Sequence, residues 1–70
     1  MKHISTYFKE GTDLKSRAEV IFDSDNTVYS IQYYNLQGQI FHTESFAGKS
    51  LHYVEDAAEN WALGIKVLNG

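Results

Sequence analysis

The stretch VEDAAENWALGIKVL, residues 54–68, decides how this chain folds. Together with the residues just before it, Leu51, Val54, Ala57, Ala58, Trp61, Ala62, Ile65 and Leu68 recur at spacings of three and four. His52, Glu55, Asp56, Glu59 and Lys66 fall largely on the other side, so the pattern predicts one amphipathic helix over residues 50–68 with a single apolar stripe. Ser50 suits the N-cap; Glu55, Asp56 and Glu59 sit toward the positive end of the helix dipole and Lys66 near the negative end. Asn69 and Gly70 suit the exit. Gly64 is the local exception, at about 1 kcal/mol relative to Ala in a helix interior. Close approach of another backbone would explain it, and so would simple tolerance. Trp61, in the middle of the stripe, reads as a core anchor, while Tyr53 falls at the margin, where it can reach a partner.

A helix of this kind needs a surface to cover, and the upstream sequence supplies one. Arg17–Asp23, Thr27–Asn35 and Gln39–Phe46 are rich in β-branched and aromatic residues and read as three strands. DSDN (23–26) allows a two-residue hairpin loop, and NLQG (35–38) suits a type I turn with Gly38 left-handed in a bulge, giving an antiparallel meander. The segment HISTYFKE (3–10) alternates and reads as a fourth strand, followed by the loop GTDLKS. The expectation is therefore an α+β fold in a single domain over 1–70: an N-terminal strand or arm over 1–16, a meander over 17–46, and the helix.

These turns set a register. With Ser24 and Asp25 as the first loop, Val20 faces Tyr29 and Ala18 faces Ile31; with Leu36, Gln37 and Gly38 as the second, Tyr33 faces Phe41 and Ile31 faces Thr43. One face then collects Ala18, Val20, Phe22, Tyr29, Ile31, Tyr33 and Phe41, the natural seat for the helix. The other face carries Ile21, Val28 and Phe46 in one row, Tyr34 beside Ile40, and polar residues between, among them His42 and Glu44. A helix about 10 Å across covers one face of a three-stranded sheet about 10 Å wide. The second apolar row, Ile21, Val28, Tyr34, Ile40 and Phe46, is the expected contact surface.

Composition narrows the functional classes. Seventy residues with 43% hydrophobic and 21% charged content make a folded domain, and one this small buries only about 60% of its unfolded surface. With no cysteine, neither a disulfide nor a thiolate zinc site can supplement that core, so self-association is the remaining inexpensive device. No apolar run spans a bilayer and the first residues lack the apolar centre of a secretory signal, which predicts a cytoplasmic protein with no membrane partner. The net charge of −3 divides unevenly: Lys2, Lys9, Lys15 and Arg17 outweigh Glu10 and Asp13 before residue 18, whereas seven acids outweigh two bases after it. Neither half contains a run of like charges, which reads as scattered surface charge.

Two resemblances add a setting. GKSLHYVEDAAENWALGIKVLNG (48–70), with the hairpin YYNLQGQIFHTESF (33–46), resembles the ending of small uncharacterised proteins encoded by tailed phages of marine cyanobacteria and related ocean bacteria. That likeness implies an infected host cytoplasm and no particular site. The order β-β-β-β-α is similar to the repeat of Whirly and Pur-alpha type proteins, which pair their units and bind single-stranded nucleic acid, though none of their sequence motifs is matched.

Each chemically suggestive group has an ordinary explanation beside it. His52-x-x-Glu55, with Asp56 and Glu59 near, has the spacing of a helical metal pair, but a solvated polar face accounts for the same residues. His42 and Glu44 share one side of a strand and could form an acid/base pair; cross-strand polar pairing is the simpler account, and no nucleophile elbow, phosphate loop or cofactor fingerprint completes a site. Asp23-Ser24-Asp25-Asn26 resembles the opening of a calcium loop but has Val28 and Tyr34 where the glycine and distal Glu belong. For nucleic acid, Lys9, Lys15, Arg17 and Lys49, with Lys2, would supply charge, and Tyr7, Phe8, Tyr34 and Phe46 stacking faces, against an acidic body. The reading is a non-enzymatic, homodimeric interaction protein, free of cofactor and metal, that pairs through the second face or a sheet edge and binds a host or phage macromolecule. A monomer with that face partly shielded by the N-terminal arm, and a single-strand nucleic-acid binder, are the alternatives.

Overall fold

The computed structural model describes residues 1–11 and 15–66. Four strands, β1 (Lys2–Phe8), β2 (Arg17–Asp23), β3 (Val28–Tyr34) and β4 (Ile40–Phe46), form one antiparallel sheet in chain order, and helix α1 (Leu51–Ala62) packs against it. The fold is α+β, and the N-terminal segment is a strand of the sheet. The middle of the GTDLKS loop, residues 12–14, lies outside the described residues, as do Leu68, Asn69 and Gly70.

The helix begins where its cap places it. The Ser50 side chain accepts from the Tyr53 N–H at 3.2 Å, satisfying one of the donors that the first turn leaves without an intrahelical partner. No acidic residue falls within that first turn. The helix ends at Ala62, not at residue 68, and Gly64 is the cause. Its φ of +82° is left-handed; Gly64 N–H donates to the Trp61 carbonyl at 3.0 Å and Ile65 N–H to the Asn60 carbonyl at 2.8 Å. That pair of bonds is a Schellman termination, so Gly64 is the stop signal and not an interior defect. Ile65 consequently leaves the apolar stripe and is 71% exposed, and Lys66 lies beyond the last turn. The end of β1 ties down this terminus: Glu10 N–H donates to the Ala62 carbonyl and Lys9 Nζ to the Trp61 carbonyl.

Val54, Ala58, Trp61 and Ala62 are the buried stripe, set on Ala18, Val20, Ile31 and Tyr33 of the two central strands, with Phe46 at one side. The Trp61 ring meets Tyr33 edge-on at 5.0 Å, with the Lys9 ammonium 4.6 Å from its centroid. The helix lies over β1, β2 and β3 and not squarely over β4.

Both hairpins differ in register from the turn-based expectation, with different consequences. The first loop has four residues, because Asp23 pairs with Val28 and the Asp23 carboxylate accepts from the Asp25 and Asn26 N–H groups and from Asn26 Nδ2. Those bonds, that from the Asn26 side chain first, hold the Asp23 carboxyl below its ordinary range. Val20 therefore faces Ile31 and Ala18 faces Tyr33, a slip of two residues that keeps every side chain on its expected face. The second turn forms as expected, with Gly38 at φ +79°, Gly38 N–H donating to the Asn35 carbonyl, and Tyr34 opposite Ile40. A bulge at Phe41 then sets Tyr33 opposite His42 and Tyr29 opposite Phe46. The slip is one residue, so His42, Glu44 and Phe46 lie on the helix side, not on the opposite face. Phe46 is 8% exposed and belongs to the core.

Candidate functional site

The sheet face away from the helix is built of cross-strand rows fixed by the pairing. At one end, Phe8, Arg17, Tyr34 and Ile40 lie side by side across all four strands. Next come Thr6, Glu19, Gln32 and Thr43; then His3, Ile21, Ser30 and Ser45; and finally Asp23 beside Val28. Among the described residues no second layer covers these rows. Phe8 is 46% and Ile40 48% exposed, so the first row is apolar at both ends and open to solvent.

Its centre is a stacked cation. The Arg17 guanidinium lies 3.8 Å from the Tyr34 ring centroid, and its Nε donates to Glu19 Oε2 at 2.6 Å. The Tyr34 hydroxyl reaches Gln32 Oε1 at 3.3 Å. The guanidinium is thus held by both an aromatic ring and a carboxylate, which pre-orients the row and neutralises its charge locally.

Of the five residues expected on this surface, Ile21, Val28, Tyr34 and Ile40 lie on it, but not in the anticipated order. Ile21 sits between His3 and Ser30 and is 7% exposed, Val28 is opposite Asp23, and Phe46 is on the helix side. The basic residues do not gather. Arg17 is on the open face; Lys9 is bound to the helix C-terminus; Lys49 stands 5.0 Å from the Tyr53 ring on the helix side; Lys15 is exposed beside β2. The place of Phe8 in the row could not be read from sequence, since the loop before β2 leaves the register of β1 unset.

The remaining candidates resolve into structural contacts. His42 and Glu44 lie opposite Tyr33 and Ile31, on the helix side. Glu44 Oε1 accepts from the Tyr33 hydroxyl at 3.1 Å and from Lys66 Nζ at 3.0 Å, while the His42 ring packs 5.6 Å from that of Tyr33. Burial, then the charge of Glu44, then the hydrogen bond to it, push the Tyr33 hydroxyl well above its ordinary range. This cluster fastens the segment after the helix onto β4, and sequence reading missed it because it depends on the bulge. His52 lies 3.4 Å from Asp56 on the exposed side of the helix, and Glu55 accepts from Ser5 Oγ at 3.0 Å instead of pairing with His52. His3, His42 and His52 occupy the open face, the helix side of β4 and the helix exterior. Among the described residues no group of three or more His, Asp or Glu is arranged to hold a metal.

No helix among the described residues is long and apolar enough to cross a membrane. Comparison with protein-family models, with curated proteins and with solved structures finds no match to this chain.

Proposed function

We propose that this is a non-enzymatic interaction protein, active as a homodimer, that presents its open sheet face to a macromolecular partner in the cytoplasm. The observation that carries the reading is the uncovered row Phe8–Arg17–Tyr34–Ile40, with exposed apolar side chains at both ends and an aromatic–cation stack at its centre. Tyr and Arg are the residue types over-represented at energetic centres of interfaces, because each combines large contact area with a directed polar group. The small size of the domain favours an additional source of burial. The setting in an infected host cell rests on the sequence resemblance alone.

Single-stranded nucleic acid is the second reading, favoured by the Arg17–Tyr34 stack on an open sheet. Against it, Arg17 is the one Lys or Arg that register places on this face among the described strand residues, and Glu19 and Asp23 share the face with it. Backbone recognition needs several cations along one path.

The test is the solution mass by light scattering at low and high salt, with and without a short single-stranded oligonucleotide. A salt-resistant dimer indifferent to the oligonucleotide is expected. Uptake of the oligonucleotide at low salt would overturn the reading in favour of the second, and a monomer under every condition would remove the dimer from it.

A further inference from the structure

We propose that two copies of this chain pair antiparallel along the free edge of β4, with Thr43 on the two-fold axis, joining the sheets into one of eight strands. This rests on the self-association proposed above and specifies its surface.

The sheet has two edges, and they differ in how they are protected. Strand β1 carries a bulge at Ile4 in its middle, begins with Lys2, and lies under the helix. Bulges, lysines and covering elements are the devices that keep an edge from recruiting another strand. In β4 the bulge falls at Phe41, next to the turn, so residues 42–46 run unbroken, and the strand contains no Lys, Arg or Pro. Nor does the helix sit over it. On that side β4 is met by Tyr53, whose ring contacts Phe46 at 6.1 Å, and by Lys66. Beside these two residues opens a groove of about 400 Å³, lined also by Asp56, Ala57, Asn60 and Ile65. The β4 edge is therefore the less protected of the two.

The sequence of the edge is complementary to itself in one register. Centred on Thr43, an antiparallel pair sets His42 of each copy across from Glu44 of the other, twice by symmetry. Centring on Glu44 would oppose two carboxylates, and centring on Ser45 would set Glu44 against Phe46. A two-fold axis normal to the sheet leaves both helices on one side and both open faces on the other. The partner-binding surface then becomes continuous across the seam, with one Phe8–Ile40 row at each end.

Single-cysteine cross-linking tests the register, because the chain contains no cysteine. Directly opposed residues in an antiparallel pair have Cα atoms about 4.5–5.5 Å apart, within disulfide reach. Thr43→Cys should therefore convert to a covalent dimer on mild oxidation. Ser45→Cys, also exposed and on the same face, would lie about 14 Å from its counterpart along the strands and should stay largely uncross-linked. Circular dichroism verifies that both variants fold. A dimeric mass without cross-linking of Thr43→Cys, or equal cross-linking of the two variants, would overturn the β4 pairing while leaving self-association intact. A monomeric wild-type mass would overturn both.

Discussion

Gly64→Ala separates two accounts of the helix by the sign of its effect. A glycine inside a helix costs about 1 kcal/mol relative to alanine, so on the reading of an unbroken helix through residue 68 the substitution stabilises by that amount. In the structure Gly64 has φ +82°, and a Cβ built there meets nothing within 4 Å. The cost is then purely that of forcing an L-residue into the left-handed region, about 1–2 kcal/mol. The two accounts differ by about 2–3 kcal/mol, and a domain of this size shifts its Tm by about 4–8 °C per kcal/mol. Thermal unfolding followed by circular dichroism should show Gly64→Ala melting below wild type by at least about 4 °C. Gly64→Asn should lose less, since asparagine tolerates the left-handed region. A rise in Tm for Gly64→Ala would refute the Schellman termination and return Ile65 and Lys66 to the helix.

Phe46→Ala should destabilise by about 3–5 kcal/mol, because Phe46 is a core residue beneath Tyr53; a variant of wild-type stability that merely loses its partner would place Phe46 on the open face instead. Ser50→Ala should cost about 1 kcal/mol in urea denaturation through loss of the bond to Tyr53 N–H, and an unchanged midpoint would remove the cap. Thr27, a β-branched residue at φ +55°, should gain stability on replacement by glycine, by less than about 1 kcal/mol because glycine is more flexible unfolded; a loss would mean that the loop needs the threonine side chain. The raised Tyr33 hydroxyl makes an alkaline prediction: the folded state keeps a proton that the unfolded chain releases near its ordinary value of 10.0, so stability is intact below that pH and falls above it. Tyr33→Phe should flatten that decline, and equal declines in both proteins would show that Tyr33 does not drive it.

The parts of the fold that could be read in advance are those set by local chemistry. Ser50 caps the helix, Gly38 turns the second hairpin, and the Val54–Ala58–Trp61 stripe finds the sheet, because each depends on a few neighbouring residues. The first hairpin shows why an error can be harmless: Asp23 takes three donors from its own loop and lengthens it by two residues, which leaves the side-chain faces unchanged. At Phe41 the displacement is one residue, and His42, Glu44 and Phe46 change face together. Nothing in IFHTESF marks the bulge, since either register of 42–46 offers one polar and one mixed face. The burial of Phe46 in the core beside Tyr53, and the bonds of Glu44 to Tyr33 and Lys66, select between them. Gly64 failed for a related reason: its apolar neighbours Ile65 and Leu68 keep helical spacing after the helix has stopped.

The candidate surfaces follow from a mismatch of widths. Four strands at about 4.8 Å put the outer two about 14 Å apart, whereas one helix covers about 10 Å, so a single helix leaves one strand exposed even on its own side. The tie between the end of β1 and the helix C-terminus, through Glu10 N–H and Lys9 Nζ, draws the helix toward β1 and makes β4 the exposed one. The sequence then places its half-buried ion pair, Lys66 with Glu44, where apolar cover is missing. An exposed ion pair contributes at most about 1 kcal/mol, and this one, with both partners about a third exposed or less, cannot substitute for a hydrophobic contact. What it does supply is direction: it draws Lys66 over β4 on the helix side, and among the described residues none pairs with the outer edge of residues 42–46. The strand that the helix fails to cover is therefore β4, the one on which the proposed pairing rests.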